Sequence, residues 1–170
     1  RPGLLAMAVF FAAFVAGARV ALWLALVPGT GISLWVPSGL CIATLLATPR
    51  ASWPWWLLLG AAAELVANAL WFHNPVGVAL LLHAGNALTA LTGALLVQRY
   101  ADGGRGARLD TLGDVVRLIG LGAVVAPMVA ATIGAATLAG LQGQAFPRAW
   151  LLWWLGDATG VLIVAPLVLV

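Results

Sequence analysis

The stretch WWLGDATGVLIVAPLVLV, from Trp153 to Val170, decides the fold class because it is an almost unbroken apolar run with one acidic residue, Asp157, inside it. A helix that crosses the hydrocarbon core of a bilayer needs about 20 largely apolar residues. A carboxylate within such a helix is costly, and it needs either a partner or a function. The stretch therefore predicts a membrane-spanning helix and marks Asp157 as a candidate functional residue.

The composition of the whole chain agrees with this interpretation. Of its 170 residues, 64% are hydrophobic and 8% are charged, and the mean hydropathy is +1.08. Soluble domains carry about 25% charged residues, so this chain has too few to cover a surface that faces water. It is therefore interpreted as an integral membrane protein, with the lipid bilayer as a partner. Its eight basic residues are all arginine and are scattered over loop ends, which argues against nucleic acid as a partner. Cys41 is the single cysteine, and it is interpreted as a packing residue.

Six apolar segments are candidates for membrane spans, which predicts an all-α polytopic bundle. They are approximately Leu4–Val27, Leu34–Thr48, Pro54–Trp71, Pro75–Gln98, Leu112–Leu141 and Trp150–Val170. The second is short for a span, and the fifth carries Pro127 near its middle, which predicts a kink or tilt. The connections contain loop-forming residues, as in PGTG at Pro28–Gly31 and ADGGRGARLD at Ala101–Asp110.

The distribution of arginine predicts the orientation of these spans. With six spans, one side of the membrane receives five arginines, with Arg117 close to it: Arg1, Arg50, Arg99, Arg105 and Arg108. The other side receives only Arg148. Cytoplasmic loops carry the excess of basic residues, so both ends of the chain are expected to face the cytoplasm of a bacterial cell, across its inner membrane.

Ionisable residues from four different spans fall at a similar depth below the opposite, outer face. They are Arg19, Glu64, His83 and Asp157. Asn68 shares a helical face with Glu64, and Asn86 shares one with His83, because these pairs are three or four residues apart. The tryptophans and the proline of nearby helix ends complete a predicted signal-binding or ligand-binding set, which consists of Arg19, Trp35, Pro37, Glu64, Asn68, His83, Asn86, Trp153 and Asp157.

A purely structural interpretation of this layer competes with the pocket. Arg19 would then pair with Asp157 or Glu64 as an interhelical clamp of the kind that contributes about 1 kcal/mol in membranes. A metal site formed by His83, Glu64 and Asp157 lacks a spacing signature, so no metal and no cofactor are expected. The chain also lacks GxSxG, HExxH and phosphate-binding motifs, so it is not expected to be an enzyme.

Four motifs make the chain resemble the MASE1 family of bacterial integral-membrane sensory domains. They are WVPSG at Trp35–Gly39, GAAAELVAN at Gly60–Asn68, AGNALTALTGALLVQR at Ala84–Arg99 and WWLGDATGVLIVAPLVL at Trp153–Leu169. The last is the most specific, because its Trp, Gly, Asp, Gly and Pro all have the spacing of the family. One departure is Thr89, where the family commonly has Glu.

The resemblance implies a role that composition does not reveal. Residues 1–170 would form the sensory input domain of a longer protein, truncated on its C-terminal side, because the family has about eight spans and six are counted here. Such domains regulate a cytoplasmic output module in the same chain: a diguanylate cyclase, a phosphodiesterase or a histidine kinase. A homodimer or a membrane partner protein would accompany such an output. No ligand follows from the resemblance.

Three functions are thus open from the sequence. The first is a signal-input domain that senses a small molecule, a membrane state or a partner protein. The second is the substrate-binding membrane component of a vitamin-type uptake transporter, because a Gly-rich bundle with a polar cavity is similar in outline to such proteins. The third is a membrane scaffold that recruits partners through helix faces rich in small residues.

Overall fold

The computed structural model describes residues 2–24, 34–100 and 109–170, and within these ranges the chain forms helices and no strand. The α-helices are α1 (Leu4–Trp23), α2 (Val36–Ala47), α3 (Trp53–Ala67), α4 (Val76–Arg99), α5 (Leu112–Arg117), α6 (Pro127–Gln142) and α7 (Phe146–Leu169). A 3₁₀ turn, Arg50–Ser52, precedes α3, and π-helical turns extend α3 over Asn68–Phe72 and join α5 to α6 over Leu118–Val125. The predicted all-α membrane bundle of six helical segments is confirmed.

Five of the six segments are long and apolar enough to cross a membrane, with lengths of 20 to 31 residues. The chain is therefore a multi-pass membrane protein. The predicted end of the first span at Val27, the PGTG loop, residues 101–108 of the polar loop and Arg1 lie outside the described residues.

Helix α2 is the exception, because its 12 residues cover about 18 Å and the hydrocarbon core is about 30 Å thick. It is shorter than the predicted Leu34–Thr48. Pro37 lies in its first turn, where a missing N–H costs nothing, and Pro49 follows its end. The N-terminus of α2 consequently lies inside the bundle, where the backbone N–H of Trp35 donates to the carbonyl of Gly156 at 2.8 Å.

Helices α2 and α7 form the closest contact of the bundle. A Cβ atom on Gly39 would overlap the carbonyl oxygen of Gly160, and a Cβ atom on Gly160 would overlap the carbonyl oxygen of Trp35. Glycine at both positions lets the two backbones touch, as small residues do at membrane helix interfaces. Helix α7 also packs extensively on α6, so it is the central helix of the fold.

The predicted irregularity at Pro127 takes the form of π-helical turns that end directly before this proline. The N–H of Ala126 donates to the carbonyl of Leu121, five residues earlier, at 3.0 Å. Thr89 of α4 bridges the disturbed turn, because its Oγ1 donates to the carbonyl of Ala126 at 3.1 Å and accepts from the N–H of Ala130 at 3.2 Å. A neighbouring helix thus supplies the N–H of Ala130 with an acceptor and adds a second donor to the carbonyl of Ala126, which also accepts from the N–H of Val129 at 3.1 Å.

The two ends of the bundle differ in their polar contacts. At one end, called here the Arg50 end, Nε of Arg50 donates to Oε1 of Gln98 at 2.9 Å. At the other, called the Asn74 end, Nε2 of Gln142 donates to Oδ1 of Asn74 at 3.3 Å. The helix end before Asn74 is closed by His73, which is exposed and has left-handed backbone geometry (φ 54°).

Candidate functional site

A cavity of about 340 Å³ lies at the Asn74 end, between the extended α3, α4, α6, α7 and the start of α2. Its polar lining combines two carboxylic acids with five amides: Glu64, Asp157, Asn68, Asn74, Asn86, Gln142 and Gln144. Its apolar wall includes Trp35, Phe72, Leu82, Leu138, Leu152 and Trp153. Gln142 and Gln144 are exposed at the helix ends, so the cavity opens to the surface there.

Asp157 lies on α7 and is almost completely buried, with 1% of its surface exposed. Its Oδ1 accepts a hydrogen bond of 3.0 Å from the hydroxyl of Ser38, in the first turn of α2. The N-terminus of a helix carries partial positive charge, so this position favours a carboxylate. The indole of Trp153, one helical turn earlier, lies beside the same carboxyl group. Oδ2 has no hydrogen-bond partner in the described part of the chain.

Ser38 has three acceptors within reach but only one hydroxyl proton. Its Oγ lies 2.7 Å from the carbonyl oxygen of Trp35, 3.0 Å from Oδ1 of Asp157 and, at the limit, 3.5 Å from the backbone carbonyl oxygen of Asp157. The proton can be donated to the carboxylate or to the carbonyl at the start of α2, but not to both at full strength. The charge of Asp157 is thereby linked to the hydrogen bonding of the α2 N-terminus.

Glu64 lies on α3, 6% exposed, and its Oε2 has no hydrogen-bond partner among the described residues. The side chain of Asn86 lies beside this carboxyl group, and the carbonyl Oδ1 of Asn86 is itself buried without a partner in the described ranges. Unlike Asp157, Glu64 accepts no hydrogen bond from a hydroxyl group of a neighbouring helix within the described residues. It is the acid of the site whose hydrogen-bonding capacity is least used.

Asn68 is in the cavity wall, but most of its hydrogen-bonding capacity is already used within the turn that follows. Its Nδ2 donates to the carbonyl of Asn74 at 2.8 Å, and its Oδ1 accepts from the N–H and from Nδ2 of Asn74 at 3.1 and 3.2 Å. These bonds close the turn that links α3 to α4. Asn68 therefore shapes the rim of the cavity and has little capacity left for a ligand.

The interhelical clamp expected as an alternative is wrong, because Arg19 lies away from both acids. Its guanidinium lies over the rings of Trp23 and Trp71, 5.1 and 5.7 Å from their centroids. Within residues 2–24, 34–100 and 109–170, no ion pair joins Arg19 to Glu64 or Asp157. Cation–π contact stabilises it at the membrane interface instead.

His83 and Pro37, although at a similar depth, line a separate narrow crevice of about 10 Å³ beside Cys41. The ring of His83 faces α3, against the backbone of Leu57 and close to Gly60. His83 therefore does not share a ligand set with Glu64 and Asp157. Of the nine candidate residues, six line the cavity: Trp35, Glu64, Asn68, Asn86, Trp153 and Asp157.

Sequence reasoning missed several residues of the site. Ser38 belongs to the quoted WVPSG motif, but its bond to Asp157 joins residues 119 apart in the sequence. Phe72, Gln142 and Gln144 were also missed. Gln142 ends the apolar α6 and Gln144 follows it, in the run LQGQ, and this polar run at a span end is the one signal that the sequence offers.

The aromatic wall is held in place by close packing. A Cβ atom on Gly134 of α6 would come within 2.7 Å of the Trp153 ring, so the ring lies directly on the α6 backbone. Trp35 packs edge-on against Phe72, with centroids 6.1 Å apart. Aromatic side chains packed in this way have little freedom to move into the cavity, so the space is preformed.

Comparison with known proteins gives one match. The MASE1 family model matches residues 5–170, which is nearly the whole chain. No curated protein and no solved structure gives a significant match.

Proposed function

Because this chain belongs to the MASE1 family of membrane-associated sensory domains, which are not themselves catalytic, we propose that the cavity at its Asn74 end is a signal-binding site. Occupation of the cavity would regulate a cytoplasmic module of the same protein: a diguanylate cyclase, a phosphodiesterase or a histidine kinase. The site lies within the bacterial inner membrane and opens away from the cytoplasm.

The observation that carries this proposal is the pair of buried acids with unused oxygens. Burial of a polar group without a hydrogen bond costs about 1–3 kcal/mol, and a charge costs more. Oδ2 of Asp157 and Oε2 of Glu64 both lack a partner among the described residues, and both acids line the same open space. A ligand that pairs with these oxygens would recover this cost, which supports a binding role over a purely structural one.

The contact between Asp157 and Ser38 supplies a route from the cavity to the rest of the bundle. A ligand that changes the charge or position of Asp157 decides whether Ser38 donates to Oδ1 or to the carbonyl of Trp35. That carbonyl lies against Gly160, where α2 and α7 are in backbone contact. Both helices run from this contact to the Arg50 end, so a small change here shifts two helices that reach the other face of the membrane.

The excess of arginine near the Arg50 end supports a cytoplasmic position for that end. Arg50 and Arg99 lie at this end in the structure. Arg105 and Arg108, on which the prediction also depends, lie outside the described residues. The cavity, at the opposite end, would then receive signals from outside the cytoplasm.

The test is the substitution Glu64→Gln in the full-length protein, with membrane abundance and signalling output measured together. Glutamine keeps the size of the side chain and removes the acid, so we expect normal abundance and an output fixed at one level. Asp110→Asn is the matched control, because Asp110 is exposed and lies outside the cavity. Output equal to that of the unsubstituted protein, at equal abundance, would contradict a signalling role for the cavity.

A further inference from the structure

We propose that the ligand of this cavity is a small organic cation that carries a primary ammonium group on an aromatic or aliphatic body. This inference rests on the proposed function, since it names the chemical class that the signal-binding site accepts. Three observations support it: the charge of the lining, its excess of hydrogen-bond acceptors and its aromatic wall.

The ionisable side chains of the lining are acidic. They are Glu64 and Asp157, and among the described residues that line the cavity none is Arg, Lys or His. The basic candidates from the sequence lie elsewhere: Arg19 lies against Trp23 and Trp71, and His83 lines the narrow crevice beside Cys41. An anionic ligand would make ionisation of either acid more costly, whereas a cation would stabilise the ionised form of one or both.

Among the buried side-chain groups of the cavity lining that lack a partner in the described residues, acceptors outnumber donors: three oxygens stand against one N–H, that of Nε1 of Trp35. Oδ2 of Asp157, Oε2 of Glu64 and Oδ1 of Asn86 are buried without partners in the described part of the chain. An ammonium group has three donors and no acceptor, so it matches three free acceptor oxygens. A carboxylate or phosphate ligand, with acceptors only, would leave all three unpaired.

The apolar wall separates an organic cation from an inorganic one. Trp35, Phe72 and Trp153 contribute aromatic rings, and Leu82, Leu138 and Leu152 contribute aliphatic surface. Inorganic cations such as Na⁺, Mg²⁺ or Ca²⁺ bind oxygen ligands and would leave this wall uncovered, whereas the body of an organic cation would pack against it. The volume of about 340 Å³ is at the lower end of the range for small-molecule sites, about 300–1,000 Å³.

The same cation would act on the helix contact described above. An ammonium group beside Asp157 keeps this residue ionised, so the proton of Ser38 is drawn to Oδ1 and away from the carbonyl of Trp35. The ligand class and the proposed coupling thus depend on the same hydroxyl group.

The test uses three probes of similar shape and different charge: phenethylamine, 2-phenylethanol and phenylacetate. Each is added to the full chain in detergent, and binding is measured by the shift of the thermal unfolding midpoint and by tryptophan fluorescence, since Trp35 and Trp153 line the cavity. We expect the ammonium probe alone to bind. Glu64→Gln should raise its Kd at least tenfold, on the order of the loss when one partner of a buried charge pair is removed, and Asp110→Asn should leave the Kd unchanged.

The outcomes separate the ligand class from the function. Binding of the alcohol or of the carboxylate with equal or greater affinity, or no binding of the ammonium probe, would overturn the cationic ligand and leave the signalling role to be judged by the output of Glu64→Gln. Binding of the ammonium probe with no effect of Glu64→Gln on its Kd would also overturn it, because the cation would then lie elsewhere. A changed Kd together with unchanged signalling output would sustain the ligand class and refute the proposed function.

Discussion

The two buried acids have different surroundings, and this difference separates their roles. Asp157 accepts a hydrogen bond from the hydroxyl of Ser38 and lies at the N-terminus of α2. Both interactions offset part of the free-energy cost of burying its carboxyl group. Glu64 has the amide of Asn86 beside it and an oxygen without a partner among the described residues. We therefore propose that Asp157 combines a structural role with coupling, and we expect Glu64 to be the more dispensable of the two for folding.

The Ser38 hydroxyl is expected to stabilise the bundle measurably. Ser38→Ala removes the donor that Oδ1 of Asp157 accepts at 3.0 Å and leaves a buried carboxyl group without it. We predict a loss of about 1–2 kcal/mol in the free energy of unfolding. This value lies between the average contribution of a hydrogen bond between membrane helices and that of a hydrogen bond to a charged group. Chemical unfolding in mixed detergent micelles measures it.

Thr137→Ala is the control for this prediction, because its hydroxyl bonds only to the carbonyl of Ile133 on its own helix, at 2.9 Å. If the two variants unfold alike, the bond across α2 and α7 contributes nothing specific.

Thr89 is expected to be structural as well. Thr89→Val keeps the shape of the side chain but removes the hydroxyl that bridges the carbonyl of Ala126 and the N–H of Ala130. Because both backbone groups are buried, we predict a loss of about 1–3 kcal/mol in unfolding free energy. Thr89→Ser should retain most of the stability, and a serine variant as unstable as the valine variant would show that packing, not the hydroxyl, is what matters here.

At the scale of the helices, the shortness of α2 explains how the site is built. A helix of 12 residues leaves its N-terminus within the bundle, where it meets the middle of α7. In this arrangement, the N–H of Trp35 donates to the carbonyl of Gly156, and the hydroxyl of Ser38 donates to Oδ1 of Asp157. A full-length second span would have carried both groups out to the membrane surface.

The α2–α7 contact provides an element-scale prediction. Gly160→Ala places a Cβ atom on the carbonyl of Trp35, so the two helices must separate, at a cost of about 1–3 kcal/mol. We expect a lower thermal midpoint and lower membrane abundance. Gly140→Ala is the matched control on α6, since nothing lies within 4 Å of its added methyl group and alanine favours the helix. Equal behaviour of the two variants would argue against close α2–α7 packing.

At the scale of the whole molecule, the orientation in the membrane can be tested by cysteine labelling. Gln144 and Ala51 are exposed at the Asn74 and Arg50 ends, respectively. In a background of Cys41→Ala, we expect a membrane-impermeant maleimide to label Gln144→Cys in intact cells and Ala51→Cys only after the membrane is opened. The reverse pattern would place the cavity on the cytoplasmic side and overturn the orientation inferred from arginine.

The sequence by itself determined the fold class, the approximate bounds of the helices and the positions of acids within the apolar segments. In a bilayer, the backbone N–H and C=O groups of a long apolar run can all form hydrogen bonds only if the run is a helix. A carboxylate within such a run stands out because placing it in the membrane is energetically costly. The depth of Glu64, Asn86 and Asp157 also followed from counting along the helices, and these residues do line one cavity.

Only the tertiary structure decided which of the polar groups meet. Depth along a helix does not fix the direction in which a side chain points, so Arg19 and His83 were grouped with the acids although they face other neighbours. The bond from Ser38 to Asp157 depends on glycine contacts that let α2 and α7 touch, and such pairing between distant segments is not encoded in any local pattern. Helix formation is governed by the residues along each segment, whereas the site is formed by the rotation and register of helices against one another.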